Sequence, residues 1–126
     1  MGNLSSTKIH PGLIRLNETD DNGLNVDAWL VSGREKAVLI DSLQDTELLY
    51  EMVKSLTFVP FEVIITHGHP DHAGKGLLQF LEHDVPVYMH PSDLDLLKGY
   101  GIFPSEMIEK IQPLKEGMQW DLGDRK

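Results

Sequence analysis

The sequence predicts one α/β domain, and three observations carry that prediction. Two short stretches, Ala37–Ile40 (AVLI) and Val63–Ile65 (VII), are continuously apolar rather than alternating, as strands buried on both faces usually are. Apolar residues elsewhere recur at helical spacing. Strand-like and helix-like segments alternate along the chain, the pattern of α/β layering.

Taken in order, Lys8–Leu16 reads as a first strand interrupted by Pro11-Gly12, and DDNG at 20–23 is a turn signal. Leu24–Val31 places Val26, Ala28 and Leu30 on one side of a strand, and Lys36–Asp41 follows as a second; the two predict a hairpin. Leu48, Leu49, Met52, Val53 and Leu56 then mark a helix, with Asp45 or Thr46 as its cap and Pro60 beyond its end. Phe61–Thr66 is the next strand. His72–Glu82 is helical, with a stripe of Leu77, Leu78 and Leu81. Val85–Met89 is a short strand, Pro91 and Ser92 open a short helix, and Pro104–Ile111 forms another. The end, LKEGMQWDLGDRK, predicts the beginning of a strand-turn-strand. These helices cover one face of a sheet. Little strand material after Met89 is left for the other, so the fold reads as structurally incomplete, with an apolar sheet face in need of cover.

Composition narrows the function. The 126 residues hold 11 Lys and Arg against 20 Asp and Glu, a net charge of −9 that disfavours phosphate backbones as partners. No apolar run approaches the ~20 residues of a membrane helix, so no membrane is expected. There are no cysteines, which rules out disulfides and thiolate metal sites. With no secretory signal either, the expected location is cytoplasmic. Any metal must be held by His, Asp or Glu.

Three of the six histidines and one aspartate, His67, His69, Asp71 and His72, fall within THGHPDHAG at the end of an apolar strand. Residues i and i+2 of extended chain point to the same side, so His67 and His69 present two imidazoles to one point. Pro70 forces a turn and suits the first turn of a helix. Asp71 then falls where the helix dipole favours a carboxylate. The pairs His67 with His69 and Asp71 with His72 suit two adjacent metal ions better than one. Imidazole and carboxylate ligands suit Zn, Fe or Mn. Asp41 ends the neighbouring strand and is the candidate to accept a hydrogen bond from a ligating imidazole; the competing reading is an acid at a helix N-terminus. His83, beside Asp84 near a helix end, reads as solvated, and His10 as surface. His90, after VPVYM, stands where it can reach the same rim as His67.

THGHPDHAG resembles the His-x-His-x-Asp-His metal signature of the metallo-β-lactamase superfamily. LNVDAWLVSGREKAVLIDS resembles that family's opening hairpin, ending in Asp41. VPVYMHPSD and LKEGMQWDLGD resemble the strand after the signature helix and the strand and turn before the second metal motif. The resemblance covers nearly the whole chain. It implies an αββα sandwich with a dinuclear site, of which 1–126 would be the N-terminal part, a single partial domain. His67 and His69 would bind the first zinc; Asp71 and His72 would bind the second, with Asp71 as the catalytic residue that orients the attacking hydroxide. Asp41 matches the supporting position. The family's next motifs would come after Lys126, so the chain reads as cut off.

The activity implied is metal-dependent hydrolysis of a small ester, thioester or lactone. His72 argues against the main class of true β-lactamases, His69 against the flavodiiron reductases, and the acidic charge against the nucleases. A glyoxalase II-like or lactonase-like hydrolase is the reading that remains. The alternative is a non-catalytic half-domain that binds metal weakly and acts by forming a homodimer through the uncovered sheet face.

Overall fold

A computed structural model describes residues 3–19, 25–43, 49–66, 75–100, 104–115, 117–120 and 122–123. It is a seven-stranded mixed sheet with helices, as the sequence predicts. The strands follow one another across the sheet in chain order: β1 (Asn3–His10), β2 (Leu13–Thr19), β3 (Asn25–Ser32), β4 (Ala37–Ile40), β5 (Phe61–Ile65), β6 (Val87–Met89) and β7 (Gln112–Pro113). The first four pair antiparallel and the last four parallel.

One expectation is corrected at the start of the chain. Pro11-Gly12 does not interrupt a strand; it turns a hairpin between β1 and β2, with Lys8 opposite Ile14. Proline supplies the fixed φ of the turn and Gly12 adopts φ 82, which a residue with a Cβ resists.

The helices are α1 (Leu49–Leu56), α2 (Lys75–Glu82), α3 (Pro91–Tyr100) and α4 (Ser105–Ile108). Each lies between two parallel strands that advance steadily across the sheet. Right-handed crossovers of that kind put every helix on the same face, and α1 touches α2 while α4 touches α2 and α3. Their apolar stripes meet the strand residues on that side. Leu49 and Val53 of α1, Leu77, Phe80 and Leu81 of α2, and Leu97 of α3 pack with Leu16, Ala28, Leu30, Leu39, Val63, Ile65, Val87 and Met89. Phe61 and Phe80 meet edge-on at 5.8 Å, and Tyr50 packs edge-on against Phe80 at 6.0 Å.

The other face shows where the expected closing strands differ. Among the described residues after β7 there is no further strand; the chain at 117–120 instead returns across the sheet. Trp120 donates from Nε1 to Glu62 Oε1 at 2.9 Å and stands edge-on to Tyr88 at 5.2 Å, while Lys36 pairs with Glu62 at 3.0 Å. Burial, and then the Glu62 carboxylate, push the Tyr88 phenol up. The buried Leu122 accepts backbone hydrogen bonds from Glu35 (2.9 Å) and Lys36 (3.4 Å). A Cβ on Gly123 would come within 2.8–3.0 Å of Glu35, so glycine permits this close return. Under the returning chain Val38 is 5% exposed, which makes β4 buried on both faces as its sequence predicts. Trp29, Val31 and Ile40 on the same face are only partly buried. At the β2–β3 flank of this face Asp27 accepts hydrogen bonds from Arg15 (2.9 Å) and Asn17 (2.8 Å). Burial raises the Asp27 pKa, but these two donors and the Arg15 charge outweigh it and hold the carboxyl below its ordinary value.

Candidate metal centre

Because β4, β5 and β6 run parallel, their carboxyl ends emerge at one rim. Ligands of open α/β sheets sit at such rims. Asp41 follows β4, Thr66 follows β5 and His90 follows β6. His67, His69, Asp71 and His72 lie outside the described residues, in the connection between Thr66 at the end of β5 and Lys75 at the start of α2. The segment therefore begins at the middle of the rim, between Asp41 and His90.

Asp41 holds that beginning in place. It is 7% exposed, and its backbone N–H extends the ladder by donating to Ile64 O at 2.8 Å. Its Oδ1 accepts the Thr66 backbone N–H at 2.7 Å, and the Thr66 hydroxyl lies 2.8 Å from both carboxylate oxygens. A carboxylate that takes a backbone N–H and a hydroxyl from one residue fixes both the position and the side-chain rotamer of that residue. That residue is the one before His67. The Asp41 carboxylate bonds to Thr66 at the end of β5, and residues 41–43 are not helical.

The backbone here is strained. Asp41 has φ 70 and Leu43 has φ 61. Aspartate tolerates the left-handed region; leucine rarely does. Both are buried and follow β4 directly, and such outliers concentrate where a fold positions functional groups.

His90 is exposed at the end of β6. Its Nδ1 lies 3.1 Å from the Ser92 backbone nitrogen, which donates to it, and 2.7 Å from the Ser92 hydroxyl. The ring thus caps the start of α3. His83 is exposed at the end of α2, away from the rim, and stacks flat on Tyr50 with ring centroids 4.0 Å apart. A hollow of about 550 Å³ beside it is lined by Phe58, Pro60 and Pro86, at the amino-terminal ends of β5 and β6. It opens at the end of the sheet opposite the rim. His10 is exposed on β1.

No group of three or more His, Cys, Asp or Glu among the described residues is arranged to hold a metal. In sequence, 67–72 carries three imidazoles and one carboxylate, and the chain has no thiolate. That set fits a divalent ion of the zinc kind. The hydroxyl of Thr66, which ties the segment to Asp41, is the site residue that sequence reasoning missed. Its signal was its place directly before His67.

Comparison with known proteins agrees with this architecture. The model of the metallo-beta-lactamase superfamily matches residues 21–125. The probable metallo-hydrolase YflN of Bacillus subtilis (strain 168) is 38% identical over 60 residues, 41% of this chain and 22% of that protein. The probable metallo-hydrolase YqgX of the same organism is 21% identical over 89 residues, 71% of this chain and 42% of that protein. Among solved structures, a metallo-beta-lactamase from Pontibacter korlensis superposes with TM-score 0.75 at 22% identity, over 96% of this chain and 57% of its own. One from Hirschia baltica gives 0.69 at 18% identity, over 80% and 49%. The chain thus spans less than half of these two relatives and about half of these two structures. A family match over most of the residues, with the sheet order and rim just described, has one consequence: the chain belongs to the metallo-beta-lactamase superfamily.

Proposed function

We propose that the chain is the signature-bearing part of a zinc-dependent hydrolase that acts on a small ester, thioester or lactone in the cytoplasm. In this reading residues 1–126 are one partial domain. His67 and His69 hold one zinc, and Asp71 and His72 hold a second. Zinc held there would supply Lewis acidity and lower the pKa of a water. Asp71 would be the residue that orients the attacking water. Asp41 acts through Thr66, keeping the start of the ligand segment in register with the rim.

The observation that carries this reading is the tether from Asp41 to Thr66. A buried carboxylate and a strained turn are spent on fixing one residue, and that residue adjoins the densest group of metal-type ligands in the sequence. The test is hydrolysis of p-nitrophenyl acetate, an acyl thioester and a γ-lactone by zinc-loaded protein, before and after EDTA. Hydrolysis of at least one class that disappears with EDTA and returns with zinc is the expected result. Rates indifferent to chelation would refute it.

A second reading is a non-catalytic module that pairs with its own copy. The partly buried Trp29, Val31 and Ile40 on the open sheet face favour it. Zinc-loaded protein that hydrolyses none of the three classes and runs as a dimer would support this reading over the first.

A further inference from the structure

We infer that β1 is a self-pairing edge: two copies of this chain join antiparallel along Leu4–Lys8, about a two-fold axis at Ser6, so that their sheets run on as one. The inference concerns a surface at the other end of the strand order from the rim, and it stands whether or not the chain hydrolyses anything.

β1 is the outermost strand of the sheet and is eight residues long. Its inner side pairs with β2; among the described residues nothing pairs with its outer side. Leu4 packs on the core, and every residue from Ser5 to His10 is exposed. Beyond Leu4 the strand is held mainly by its ladder to β2. An open row of backbone N–H and C=O groups is a template for another strand unless the sequence blunts it. Here the run is stopped at one end only, by the register shift between Lys8 and His10 and then by Pro11. From Leu4 to Lys8 there is no proline, no glycine and a single charged residue. The opposite edge is blunted. β7 has two residues, and the second is Pro113, which has no N–H. One open edge and one blunted edge give a closed pair of chains and not a growing fibre.

Charge and register name the occupant as a second copy. All 20 Asp and Glu lie at Glu18 or later, and before it stand only Lys8 and Arg15. Arg15 is already paired with Asp27. Two chains of net charge −9 repel over most of their surface, and the β1 edge is where they meet without setting carboxylate against carboxylate. Lys8 alone is too little charge to select an acidic partner instead. With Ser6 opposite Ser6 of the second copy, Ser5 faces Thr7 and Leu4 faces Lys8. Hydroxyl pairs support each other across strands, and no like charges are opposed. The added pairing is antiparallel, as it is from β1 through β4. A ladder without an apolar centre makes a weak pair, at the low end of specific interfaces.

The chain has no cysteine, so one introduced thiol reports one contact. Ser6→Cys should form a disulfide-linked dimer under mild oxidation, because the two-fold axis sets the residue against its own copy. Phe58→Cys replaces a residue that is fully exposed elsewhere, controls for chance collision, and should not cross-link. Sedimentation equilibrium of the unchanged chain should show a mass that rises toward two chains between tens and hundreds of micromolar. Ser6→Lys sets two ammonium groups against each other and should weaken the pairing roughly a hundredfold. Its exposed position should leave the circular dichroism spectrum unchanged. Zinc enters none of these readings, so their outcome is separate from that of the proposed function. A single-chain mass at hundreds of micromolar leaves the edge to another occupant or to none and overturns the inference. So does a dimer that survives Ser6→Lys, which places the contact on another surface, or cross-linking of Phe58→Cys equal to that of Ser6→Cys.

Discussion

Zinc titrated into His67→Ala or His69→Ala should show no tight binding, whereas His83→Ala should bind as the parent does. A structural zinc site is worth ~10–16 kcal/mol shared among about four ligands, so each ligand accounts for two or more orders of magnitude in affinity. His67 follows Thr66 in sequence and His69 comes two residues later, the spacing that in extended chain would put both on one side. His83 is a control with a known place in the fold. It stacks on Tyr50 beside the hollow at the far end of the sheet, so its loss touches packing and not the rim. Isothermal titration reads all three variants. Equal losses at the three positions would refute the ligand assignment.

Asp41→Ala should weaken both the fold and the metal site. The substitution removes the acceptor for the Thr66 N–H and hydroxyl and leaves the φ 70 backbone to a residue that tolerates it less well. Loss of such hydrogen bonds costs about 1–3 kcal/mol, visible as a lower thermal midpoint of the metal-free protein. Residues that orient ligands typically contribute ~10–100-fold in metal affinity, and the zinc titration should fall by that much. Asp41→Asn separates the two effects. It keeps an acceptor oxygen and a residue at ease in the left-handed region, so most of the stability should return. An Asp41→Ala protein as stable as the parent, with unchanged zinc affinity, would mean that the tether does not position the segment.

Much of this architecture is legible in local pattern. Val26, Ala28 and Leu30 alternate and are buried together; Leu49 and Val53 are four apart and share a helix face. The proposed ligand cluster also comes from local pattern, since its residues are neighbours in the chain. What local pattern misses depends on contacts between distant segments. The pairing of Asp41 with Thr66 spans 25 residues and that of Glu62 with Trp120 spans 58, and neither has a periodic signature. Pro11-Gly12 is read as a break because a turn and an interruption look alike until the partner strand is known. That the ring of His90 caps α3 is seen only once Ser92 is found against Nδ1.

The central claim is that this rim is a zinc site, and the most direct test is zinc per chain by elemental mass spectrometry on the gel-filtration peak, with the molecular mass taken from the same peak. Zinc near or above stoichiometry, lost in His67→Ala, is the predicted result, and the mass states whether one chain or two hold it. Little or no zinc at any mass would contradict the account, leaving the superfamily fold in place without the chemistry assigned to it here.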